Sequence, residues 1–147
     1  MLRLTKLADY GIVMLTFFAA HPENSYNARG IANAARLPLP VASKILKSLT
    51  KSGFLTSHRG TKGGYTLARA SQEINVASII RAFEGPIAVT ECSSARHACE
   101  LESGCPVHAH WNIINASIHS ALEKVTLAHM MQPLNQPFVE ITLPGRS

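Results

Sequence analysis

Between residues 40 and 67 the hydrophobic period of the chain changes from helical to extended, and this change restricts the fold more than any other feature. Ala42, Ile45, Leu46 and Leu49 stand at i, i+3, i+4 and i+7, one buried stripe on a helix over residues 40–52. Pro40 suits the first position of that helix, and Gly53 supplies a left-handed cap after it. Residues 54–58 and 65–67 then read as short strands flanking Arg59-Gly60-Thr61-Lys62-Gly63-Gly64, a hairpin with a cationic tip.

The segments on either side complete a domain. Leu4, Leu7, Ala8, Gly11, Ile12, Leu15, Phe18 and Ala19 keep helical spacing over residues 5–20. Asn27 is a candidate N-cap for a short helix to Ala35, and Leu37-Pro38-Leu39-Pro40 forms the turn into the next. A further helix over residues 75–84 turns Val76, Ile79, Ile80 and Phe83 inward before Gly85-Pro86 stops it. Two short helices joined by a tight turn and followed by a basic hairpin make a winged helix-turn-helix, so the fold class is mainly α with a small β-hairpin wing. Arg3 and Lys6 before the apolar residues 11–20 superficially suggest a signal peptide. The amphipathic spacing and Asp9 instead favour a core helix.

Charge is divided along the chain. Residues 1–85 carry eleven Lys/Arg against four Asp/Glu, whereas residues 86–147 carry three against five. The basic half has the electrostatic character of a polyanion binder. On the 40–52 helix, Ser43, Lys44, Lys47, Ser48 and Lys51 lie away from the apolar stripe and are the candidate DNA contacts. There the lysines would meet phosphates and the serines phosphates or base edges. Arg59 and Lys62 on the wing suit a minor groove. A merely solvated lysine face is the competing reading; the adjoining basic hairpin weighs against it.

The second half carries all three cysteines, Cys92, Cys99 and Cys105, within fourteen residues, and His108 follows closely. Thiolates and an imidazole on one short loop suit zinc or the iron of an iron–sulfur cluster, and residue chemistry alone leaves the two close. A metal-free thiol switch is a further alternative, without a Cys-x-x-Cys pair to support it. His97 and His110 are outside candidates as ligands, while His119 and His129 read as exposed helix residues. An odd cysteine count argues against a disulfide framework, and no apolar run is long enough to span a bilayer, so the expected location is the cytoplasm with no membrane partner.

Pro106 opens a long helix. Val107, Trp111, Ile114, Ile118, Ala121, Val125 and Ala128 alternate steps of four and three, the spacing of a helix packed along a partner. A homodimer seam at Trp111, Ile114, Ile118 and Val125 is the inference, with intrachain core as the competing role. The expected organisation is therefore a DNA-binding domain over residues 1–85, a zinc- or cluster-binding loop over 86–105, a dimerisation helix over 106–131 and a flexible tail over 132–147. Neither a general base paired with an open metal position nor a Gly-rich nucleotide loop before a helix is present, so an enzyme is not expected.

Leu4-Thr5-Lys6-Leu7-Ala8-Asp9-Tyr10, Lys51-Ser52-Gly53-Phe54-Leu55 and Arg59-Gly60-Thr61-Lys62-Gly63-Gly64-Tyr65-Thr66-Leu67 resemble the winged-helix regulators of the Rrf2 family, which includes IscR- and NsrR-type iron–sulfur sensors. The resemblance runs to about residue 130, and the opening segment is most similar to regulators of SUF cluster-assembly genes. It implies an iron–sulfur cluster, 2Fe–2S in preference to 4Fe–4S, on Cys92, Cys99 and Cys105. His108 is the IscR-like fourth ligand, and Asp9, reaching from the other subunit, the NsrR-like alternative. Two departures stand out: six residues instead of five separate the first two cysteines, and Ser43 replaces an acidic residue of IscR-type proteins. The implied function is a DNA-binding homodimer, a repressor of iron–sulfur assembly genes acting on a double-stranded operator. A nitric oxide sensor and a winged-helix regulator with structural zinc are the alternatives.

Overall fold

The computed structural model describes residues 3–61, 63–93 and 99–133. Six helices and one hairpin follow in the order α1 (Lys6–Ala20), α2 (Ala28–Ala35), α3 (Leu39–Lys51), β1 (Leu55–His58), β2 (Gly64–Leu67), α4 (Val76–Glu84), α5 (His108–Lys124) and α6 (Leu127–Met130). Short 3-10 turns lie at Ser71–Glu73, Glu91–Ser93 and Glu102–Gly104.

Local chemistry explains the helix starts. Thr5, Asn27 and Asn75 adopt extended backbone and accept from the amides of Ala8, Gly30 and Ser78. Each satisfies one otherwise unpaired donor, an effect worth about 1 kcal/mol. The apolar stripe of α3 is wholly enclosed: Ala42, Ile45, Leu46 and Leu49 have no exposed surface. They meet Met14, Leu15 and Phe18 of α1, Ile31 of α2 and Ile79 of α4 in a single core. The approach of α1 to α4 depends on Gly11, where a Cβ would stand 2.5 Å from the Phe83 ring.

The hairpin is antiparallel, with Leu55 opposite Leu67 and His58 opposite Gly64. It is tied to the loop before α2 by a bridge between Tyr26 and Tyr65, whose amides each donate to the other's carbonyl at 3.0 and 2.8 Å. The Tyr26 ring meets Phe18 edge-on at 5.4 Å, which joins the wing to the core.

The expected continuous helix over residues 106–131 is corrected by the structure. α5 begins at His108 and stops at Lys124; Val125 is extended and Thr126 caps the separate turn α6. The cause is tertiary. Val76 donates its amide to the Val125 carbonyl and Leu127 donates to the Ile74 carbonyl, both at 2.8 Å. Leu127 then enters the core with no exposed surface. The chain therefore returns after α5 to the body formed by α1–α4. Residues 134–147, most of the expected tail, lie outside the described residues.

Candidate nucleic-acid interface and metal loop

Lys44, Lys47 and Lys51 project from the solvent side of α3, opposite its buried stripe. Ser43 and Ser48, expected to be fully outward, are half-buried at the flanks of that face. The turn into α3 is made by Arg36, which has a left-handed backbone (φ 55°) and whose amide caps the carbonyls of Ala32 and Asn33. Sequence spacing located this turn one residue later and did not reveal the left-handed position. At the wing, Arg59 is exposed, while Lys62 lies outside the described residues. Gly64 sets the wing against the body: a Cβ there would lie 2.7 Å from Ser25 Oγ and 2.8 Å from the Tyr26 carbonyl. A lysine helix face and a hairpin thus share one rigid frame, as groove and backbone contacts require.

The loop after α4 is held against α5 by Asn115. Its Oδ1 accepts from the Val89 amide at 3.0 Å and its Nδ2 donates to the Ile87 carbonyl at 3.3 Å. Cys92 is buried, Cys99 and Cys105 are half-buried, and all three are free thiols. Among the described residues no three His, Cys, Asp or Glu side chains converge at metal-binding distance; residues 94–98, between the first two cysteines and including His97, lie outside them. The donor chemistry still fits an iron–sulfur or zinc centre. Buried His108 Nδ1 has no hydrogen-bond partner, an uncommon state for a ring nitrogen and one that a ligand would relieve. Cys92 and His108 are also connected. Thr90 Oγ1 is 3.1 Å from Cys92 Sγ and 3.0 Å from Ser93 Oγ. Ser93 reaches Asn112 at 3.2 Å, and Asn112 reaches His108 Nε2 at 3.0 Å. Asp9 is exposed on the first turn of α1, and His110 is exposed on α5.

No residue of α5 is buried in the single chain. Trp111 and Ile118 are half-covered, and Ile114 is 43% and Ile113 66% exposed. Val125, grouped with them from its spacing, instead packs against the core of its own chain. His119 and His129 are not the exposed residues expected. His119 is half-buried, with Nε2 2.7 Å from Arg81 and Nδ1 3.4 Å from Glu123. His129, also half-buried, closes a reciprocal capping box with Thr126. His108, Asn112, Asn115 and His119 stand at i, i+4, i+7 and i+11, so a polar stripe of α5 faces the loop and α4. That spacing was available in the sequence beside the apolar one and is the signal that would have found Asn112 and Asn115.

Known proteins share this overall fold. The chain is 29% identical over 132 residues to "Protein rrf2" of Nitratidesulfovibrio vulgaris, covering 89% of this chain and 88% of that one. Its fold superposes on IscR of T. potens with a TM-score of 0.68 at 28% identity, over 88% of this chain and 86% of the other. CymR (YrzC), the global cysteine regulator of B. subtilis, gives the same TM-score at 25% identity, over 89% and 97%. No helix among the described residues is long and apolar enough to cross a membrane. A family model described as "Iron-dependent Transcriptional regulator" matches residues 4–133, which takes in the reading helix, the wing, the cysteine loop and α5 together. With its winged-helix head and this span of likeness, the chain belongs to the Rrf2 family of transcriptional regulators and is a DNA-binding protein, not an enzyme.

Proposed function

We propose that this regulator is a homodimer that senses an iron–sulfur cluster held by Cys92, Cys99, Cys105 and His108 and represses iron–sulfur assembly genes of the SUF type. The observation that carries the reading is the buried, unpartnered Nδ1 of His108, on a ring whose Nε2 is connected through the side chains of Asn112, Ser93 and Thr90 to buried Cys92. Three thiolates and one weaker nitrogen ligand would bind the cluster and leave it open to loss or attack at the fourth position. Bound, the cluster supplies an oxidant- and iron-sensitive centre; the residues do the rest. Asn115 fastens residues 87–89 to α5, so a change of loop pose would act on α4 and the reading head. Such a sensor works by stabilising one of two states more than the other. Lys44, Lys47 and Lys51 would set affinity for the operator, with Ser43, Ser48, Arg59 and Lys62 completing the contact. The uncovered Ile114 and half-covered Trp111 and Ile118 would pair two copies across palindromic half-sites.

The deciding experiment is the visible spectrum of anaerobically purified protein with iron and sulfide counts. Coloured protein with matched iron and sulfide supports the reading and gives the choice between 2Fe–2S and 4Fe–4S. Colourless protein with stoichiometric zinc would replace it by the structural-zinc alternative. Replacing His108 and Asp9 separately by alanine identifies the fourth ligand by which change makes the cluster labile. Rapid release of operator by nitric oxide, without a response to iron supply, would favour an NsrR-like role. The likeness to the cysteine regulator CymR supports one further reading: protein with neither iron nor zinc would point to control of cysteine genes.

A further inference from the structure

The side chains linking Cys92 to His108 form an ordered chain whose direction is set at one residue. As placed, Ser93 donates to Asn112 Oδ1, and Asn112 Nδ2 donates to His108 Nε2. That arrangement puts the ring proton on Nδ1, a buried N–H with no acceptor. A half-turn of the Asn112 amide changes every role without moving another heavy atom. Nε2–H then donates to Oδ1, Nδ2 donates to Ser93, Ser93 donates to Thr90, and Thr90 donates to the Cys92 sulfur. Each hydroxyl still gives one hydrogen and the amide still uses both of its ends. His108 Nδ1 becomes a bare lone pair, and the Cys92 sulfur becomes an acceptor, which is the hydrogen-bonding character of a ligating thiolate. His108 and Asn112 are four residues apart on α5, one turn on one face, so the helix itself fixes their contact.

We propose that Asn112 is the positioning residue for His108: it holds the ring proton on Nε2, leaves Nδ1 free to take a ligand, and is itself oriented by Ser93 and Thr90 beside Cys92. The proposal deepens the cluster-sensing reading and rests on His108 as a ligand. A metal-bound histidine commonly donates its other N–H to a neighbour that fixes its tautomer, and removing such a neighbour typically weakens metal binding about 10- to 100-fold. Here that neighbour is a carboxamide on the same helix, connected through two hydroxyls to another ligand of the set, so two of the four positions are oriented together.

The test uses the full-length protein, first without metal. Nitrogen-15 NMR of the His108 ring should show the Nε2–H tautomer in the native chain and a shift toward Nδ1–H in Asn112→Leu. Asn112→Asp, which still accepts from Nε2–H, should restore the Nε2–H form. Ser93→Ala, milder for folding, should give a mixture of tautomers, and it provides the decision should Asn112→Leu fail to fold. In anaerobically loaded protein, iron release to a chelator should be about 10-fold faster for Asn112→Leu than for the native chain. A native Nδ1–H tautomer, or a tautomer indifferent to these substitutions, would overturn the proposal. Because the tautomer is read on metal-free protein, failure to load a cluster would count against the sensing reading and leave the relay measurement standing.

Discussion

At the scale of single residues, backbone geometry decides two positions that charge and hydrophobicity do not mark. Arg36 holds a left-handed conformation that costs an L-residue about 1–2 kcal/mol, partly offset in a glycine variant by the greater chain freedom lost on folding. Arg36→Gly should therefore raise stability by about 0.5–1 kcal/mol in a thermal melt of the DNA-free protein; an unchanged or lower melting temperature would show that the turn is unstrained. Gly64 is the opposite case. A methyl group there meets the Tyr26 backbone, which cannot move without breaking the Tyr26–Tyr65 bridge. Gly64→Ala should destabilise by about 1–3 kcal/mol and weaken operator binding by misplacing the wing. Operator affinity preserved alongside full stability would refute that placement. Of these two residues the sequence revealed only the glycine, because its basic, Gly-rich setting marks a loop. No compositional signal distinguishes Arg36 from the other arginines.

At the scale of elements, legibility follows the range of the interaction that makes each element. The helices α1 to α4 and the hairpin were readable because their stripes, caps and turn residues are local. Gly53, with φ of 81°, ends α3 as its position suggested. The division between α5 and α6 was not readable, since its cause is the backbone of Ile74 and Val76, some fifty residues earlier. Heptad spacing alone carried the apolar pattern across Val125, a residue that packs into its own core. Thr126→Ala removes the acceptor for the His129 amide and should cost about 1 kcal/mol, seen as a lower denaturant midpoint. On α3, the proposed phosphate contacts of the lysines can be tested apart from base recognition. Replacing Lys44 or Lys47 by alanine should weaken binding to operator and random duplex alike. The slope of log affinity against log salt should fall by about 0.9 for each phosphate no longer neutralised. A weakening confined to the operator would reassign that lysine to base reading.

At the scale of the whole molecule, α5 is a helix of 17 residues, about 25 Å long, attached by its polar stripe and uncovered over much of its apolar one. Ile114→Asp should shift the protein toward monomer in sedimentation and reduce operator affinity through loss of two-site binding. An unaltered dimer would place the seam elsewhere. The cysteine loop was recognisable from composition, whereas its attachment by Asn115 and its link to His108 through Asn112 follow a polar stripe at helical spacing that runs beside the apolar period of the same helix.

The backbone bonds joining Val76 to Val125 and Ile74 to Leu127 close the chain into a ring. Everything between those anchors, cysteines included, is a tether with no free end. A rearrangement around Cys92 therefore cannot dissipate by fraying outward. Its displacement is passed along the chain toward α5 on one side and toward the end of α4 on the other.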